Sequence, residues 1–80
     1  MTKLQLALLD IAPYLNPTTF PNGSTFNLSI TKIQEAKDSE LRFWASNIVT
    51  DAMNYCNTQT LKWVDLPNYH KLDTLDKLVH

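Results

Sequence analysis

The sequence predicts a mainly α fold. A long central amphipathic helix over about residues 31–57 is flanked by shorter N-terminal and C-terminal helices, with a small β-hairpin or ordered loop at about 17–30. Three observations carry this. Leu41, Trp44, Ala45, Ile48, Val49, Ala52, Tyr55 and Cys56 recur at i, i+3, i+4, i+7 spacing. At about 100° per residue they share one helical face within an arc of about 140°. Tyr69, Leu72, Leu75 and Val79 repeat that spacing near the C-terminus. Between Ile11 and Thr31 there is no charged residue, and this window holds the only glycine and three of the four prolines.

The first element is KLQLALLDIAPYL. Leu4, Leu8, Ile11 and Leu15 share a helical face and Thr2 can cap it. Leu4, Leu6 and Leu8 also alternate as in a strand. The Leu/Ala/Gln composition favours a helix, and Pro13 disfavours helical backbone at Ala12. We expect a helix ending near Ala12. The alternative is an α+β fold in which Leu4–Leu8 joins a small antiparallel sheet.

In the uncharged window, Pro21-Asn22-Gly23 is a turn signal. Phe26, Leu28 and Ile30 then alternate with polar residues, which reads as a half-buried strand. Thr18–Phe20 is its candidate partner. An ordered loop pinned by Phe20, Phe26 and Leu28 is the competing reading, because an isolated hairpin is marginal. Asn22 and Asn27 each begin a glycosylation tripeptide, a match close to chance in an Asn- and Ser-rich chain.

Thr31 and Gln34 have capping-box spacing at the start of the central helix. Ile33 lies just outside the apolar arc and Ala36 well outside it, so the pattern slips near Lys37–Ser39. Asp38 and Ser39 are both good N-caps. Two forms are open: one helix with an irregularity at Asp38–Ser39, which we favour, or a short helix followed by a long one from near Ser39. Residues 60–66 are too short a run to assign, and Pro67 ends it. Asn68 is a good cap for a last helix over about 69–78, with Lys71, Lys77, Asp73 and Asp76 on its outward side.

Residues 1–80 are expected to form a single small globular domain. The apolar fraction of 44% suits a folded chain rather than a disordered one. The net charge of −1 gives no basic footprint for nucleic acid or for an anionic membrane. No stretch approaches the about 20 apolar residues of a membrane span. Lys3 followed by LQLALLDIA faintly resembles a signal peptide, but Asp10 interrupts it and no small-x-small cleavage site follows. Cys56 is the only cysteine, so no internal disulfide forms, which leans towards a reducing, cytoplasmic setting.

Catalytic signals are weak. Cys56 lies on the apolar face, where cysteine packs as a small hydrophobe. Cys56, His70 and His80 lack zinc-site spacing, and one glycine excludes a phosphate-binding glycine loop. We expect no enzyme activity, no metal and no cofactor. Asp73 and Asp76 read as a solvated charge pattern.

Partner binding is the leading reading, through a small adaptor or inhibitor that covers a surface on a larger protein. Phe43 and Met53 break the apolar pattern. Either they pack under the N-terminal helix or hairpin, or they form an exposed patch with Arg42, Thr50 and Asn54. Phe20 and Asn22 in the uncharged window, and Trp63 and Tyr69 around Pro67, complete the candidate partner-binding residues. A homodimer is a close variant. The alternative of another class is a small helical DNA-binding regulator reading bases with Arg42, Ser46, Asn47, Thr50, Asn54 and Asn57. Glu35, Asp38, Glu40 and Asp51 on the same helix weigh against it, since they would meet phosphates.

Overall fold

The computed structural model describes residues 2–15, 29–66 and 68–80. Among these residues, four α-helices and two 3₁₀ turns occur in order: α1 (Lys3–Ile11), a turn at Ala12–Tyr14, α2 (Ile30–Glu35), α3 (Asp38–Gln59), a turn at Trp63–Asp65, and α4 (Tyr69–Val79). The hairpin or loop expected at 17–30, including Phe20, Asn22, Phe26 and Leu28, lies outside the described residues except for its last two positions.

Local chemistry explains α1. Gln5 N–H donates to Thr2 Oγ1 at 3.1 Å, and Thr2 N–H donates to Gln5 Oε1 at 2.9 Å. This reciprocal box satisfies two backbone donors that the first turn would otherwise leave bare. Leu4, Leu8 and Ile11 then fall on one buried face. The helical period therefore overrides the Leu4–Leu8 alternation, and the α+β alternative is not supported: the described residues contain no strand. Pro13 sits in the 3₁₀ turn, where its missing N–H is tolerated.

The central helix is interrupted. Ala36 (ψ 150°) and Lys37 (ψ 157°) are extended, so a six-residue α2 precedes a 22-residue α3. Its long element thus begins at Asp38 rather than at 31, and ends at Gln59 rather than 57. The favoured single helix gives way to the two-helix form. Ser29 caps α2, accepting from Lys32 N–H at 3.1 Å, in place of the expected Thr31. No side chain caps α3; Lys37 is its N-cap, and neither Asp38 nor Ser39 takes that role. The cause of the break is tertiary. In an unbroken helix Ile33 would sit at the edge of the apolar arc, and two extended residues turn it fully inward. Gln5 Nε2 then donates to the carbonyls of Ile33 and Gln34, both at 3.4 Å, tying α2 to α1.

From Leu41 onward the expected face is the buried face: Leu41, Trp44, Ala45, Ile48, Val49, Ala52 and Cys56 all enter the core. Asp51 is the buried acidic residue on that helix. α4 packs against both α3 and α1, and α1 also meets α2 and α3. Leu8, Ile11, Ile33, Leu41, Ile48, Leu72 and Leu75 are the largest fully buried side chains. Each contributes about 1.5–3 kcal/mol of transfer free energy. Lys71 Nζ lies 3.0 Å from Asp10 Oδ2 and 5.4 Å from the Tyr14 ring centroid, clasping α4 to α1.

The end of α3 positions the site below. Thr60 is left-handed, at φ 55° and ψ 43°. Leu61 N–H donates to the Cys56 carbonyl at 2.9 Å, the six-to-one bond of a Schellman closure. Glycine normally occupies such a position, and a β-branched residue is disfavoured there by about 1–2 kcal/mol. Asn68, also left-handed (φ 62°), opens α4 without a side-chain cap bond; its carbonyl accepts from Lys71 N–H at 3.0 Å. Asparagine tolerates that conformation far better than threonine does.

Candidate functional site

A cleft of about 460 Å³ lies between the C-terminal half of α3 and α4. Met53, Cys56 and Asn57 line it from α3, at i, i+3, i+4 spacing along one edge of the helix. Leu61 and Trp63 line it from the segment that follows the Thr60 reversal. Asp73 and Asp76 line it from α4, three residues apart on one side.

The lining runs from buried to exposed. Cys56 is buried and Trp63 half-buried, while Met53 is 42% and Leu61 40% exposed. Val64, next to Trp63, is 57% exposed. Leu61 N–H closes onto the Cys56 carbonyl, and this closure brings an apolar residue to the cleft. The Trp63–Asp65 turn is held by Asp65, whose N–H donates to the Lys62 carbonyl at 3.0 Å and whose carboxylate accepts from Lys62 N–H at 3.4 Å.

Each titratable group here has a definite state or partner. Burial pushes the Cys56 thiol above its ordinary range, and the Asp65 carboxylate pushes the same way. The thiol is therefore protonated at neutral pH, the opposite of an activated nucleophile. It donates weakly to the Lys62 carbonyl, Sγ to O 3.9 Å. Asp73 Oδ2 lies 3.0 Å from Lys77 Nζ, which is 77% exposed. Asp76 Oδ1 is shielded from solvent and lies 3.2 Å from His80 Nε2, an ion pair only when that imidazole is protonated, and it accepts no hydrogen bond. The cleft is thus lined by two carboxylates and no cation.

Of the residues singled out by sequence, Met53 and Trp63 meet at this cleft. Phe43 is 58% and Met53 42% exposed, while the hairpin side of the packing alternative lies outside the described residues. Thr50 and Asn54 are exposed on the outer face of α3 with Phe43, while Arg42 Nε is held 3.0 Å from Asp38 Oδ2. Asn47 Nδ2 donates to the Phe43 carbonyl at 2.8 Å. Tyr69 is half-buried against the core, its ring centroid 3.9 Å from that of His70, and it does not line the cleft. Phe20 and Asn22 lie outside the described residues. Leu61, Asp73 and Asp76 went unrecognised as site residues; the shared helical side of the two aspartates was the one signal for them.

A second cleft, also about 460 Å³, lies between α1 and α4 and is lined by Lys3, Leu6, Ala7, Asp10, Thr74 and Leu78. Among the described residues no three His, Cys, Asp or Glu side chains converge as a metal site would, and no helix is long and apolar enough to cross a membrane. No protein-family model, curated protein or solved structure matches the chain.

Proposed function

We propose that the chain is a non-enzymatic protein–protein interaction module, a small adaptor or inhibitor, and that it covers a surface on a larger protein through the Met53–Trp63 cleft. The observation that supports this reading is the cleft itself: a methionine, a leucine and a tryptophan, all partly open to solvent, gathered from two segments. Methionine and aromatic side chains are the types enriched at interface cores, and contiguous exposed apolar patches tend to mark binding sites. The protonated thiol of Cys56 supports a packing role for it rather than a chemical one. A free, buried cysteine also suits the reducing cytoplasmic setting we favour.

The test is capture from native cell extract on immobilised wild type and on the double variant Met53→Gln/Leu61→Gln, compared by mass spectrometry. A protein retained by the wild type and lost from the variant is the expected result. If nothing distinguishes the two, and the chain instead retains mixed-sequence DNA at low salt, the DNA-binding reading replaces this one.

A further inference from the structure

We infer that the occupant of the Met53–Trp63 cleft is a partner segment that presents an arginine beside an apolar side chain. This rests on the proposal that the cleft is the docking surface, and it specifies the chemistry of what docks. Three features of the lining carry it. Among the described residues the charged groups in the lining are the carboxylates of Asp73 and Asp76, and both are paired along their own helix, to Lys77 and His80. The Asp76 oxygen that faces His80 Nε2 at 3.2 Å makes no hydrogen bond to it, so a well-aligned donor that displaces the imidazole would be favoured. Trp63 offers a half-buried indole in the lining of the same cleft.

A guanidinium satisfies all three features at once. It is planar and weakly hydrated, stacks on aromatic faces, and carries five donors in a fork. Carboxylates at i and i+3 on a helix stand about 5–6 Å apart at Cβ, so one fork can address both. The aliphatic stem of the arginine and its apolar neighbour would lie on Met53 and Leu61. An acidic segment would meet like charge, and a wholly apolar one would desolvate the Asp73 and Asp76 pairs and offer them no donor.

The experiment pans a phage-displayed library of random dodecapeptides on the full chain and measures the enriched peptides, made synthetically, by fluorescence anisotropy. Circular dichroism confirms that each variant is folded. Arginine-bearing peptides with an apolar neighbour are expected. Their affinity should fall about tenfold or more on Asp73→Asn/Asp76→Asn, and equally when citrulline replaces the arginine. Enriched peptides without a basic residue that respond to Met53→Gln/Leu61→Gln, but not to the aspartate changes, would overturn the arginine inference and leave the docking cleft standing. Binding that responds to neither pair of changes, or no enrichment at all, would overturn both.

Discussion

Two clefts of about 460 Å³ flank α4, and they differ in what already spans them. The α1–α4 cleft is lined by charges of both signs, Lys3 and Asp10, and Asp10 is bound across the helix pair by Lys71 at 3.0 Å. Its acidic group is thus matched across the helix pair. Among the described residues, ion pairs at the α3–α4 cleft run along α4 rather than between its two walls. One cleft is a seam between packed helices, while the other has apolar and acidic groups with no cross-helix complement. A cleft of given size is a binding candidate to the extent that its polar groups remain unmatched across it.

The largest expected effect removes the wall common to both clefts. Leu75 is fully buried on α4. Leu75→Ala should lower stability by about 2–5 kcal/mol in urea denaturation, enough to threaten a domain of this size. A loss below about 1 kcal/mol would mean that α4 is not packed into the core as described. The next change separates the clefts. Met53→Gln/Leu61→Gln should abolish peptide binding while moving stability by no more than about 0.5 kcal/mol per site, since both side chains are about 40% exposed or more. Leu6→Gln in the α1–α4 cleft, where Leu6 is 55% exposed, should leave peptide affinity unchanged. An equal loss from both variants would dissolve the distinction.

How far the sequence anticipates this arrangement depends on the range of the force involved. Local forces are legible. The 3.6-residue period places α1, α4 and the Leu41–Cys56 face, because each is an amphipathic stripe meeting one core. The break at Ala36–Lys37 carries no proline or glycine; the pattern slip and the cap residues Asp38 and Ser39 mark its neighbourhood without deciding it, and the deciding gain is tertiary, the full burial of Ile33. The Thr60 reversal is equally silent, since threonine is a poor residue for φ 55° and no composition rule points to it. Met53 and Trp63 each stand out as unusual, but nothing in the spacing joins them. Asp73 and Asp76 read as solvated until α3 packs beside them.

Thr60 offers the next test, of smaller size. Thr60→Gly should stabilise the chain by about 1 kcal/mol, because glycine takes the left-handed conformation without the clash of a β-branched side chain. Its urea midpoint should rise with peptide affinity unchanged, since the Leu61–Cys56 closure is retained. A gain in stability accompanied by loss of binding would show instead that the strained turn is what holds Leu61 at the cleft.

The last comparison concerns how dry the inner wall of the α3–α4 cleft is, and it is read as a slope against pH. Burial is the main cause that holds the Cys56 thiol above its ordinary range, with Asp65 adding to it. The folded chain therefore keeps this proton at pH values where the unfolded chain has released it. The unfolded state then binds fewer protons, so stability falls as pH rises. The contribution is complete below the unfolded thiol value of about 8.5 and is lost as pH climbs through the folded one. Cys56→Ala removes the titration and lowers stability at every pH by leaving a small void. The readout is thus the difference in slope between wild type and variant, which also cancels the tyrosines and lysines common to both. Above about pH 8.5 the wild type should lose stability faster. Asp65→Asn should recover only the minor part of that difference, since burial is the larger cause. Parallel slopes would mean that the thiol is as well hydrated in the fold as outside it. Water would then reach behind Met53 and Leu61, and the contrast between an open apolar cleft and a closed polar seam would fail at its inner wall.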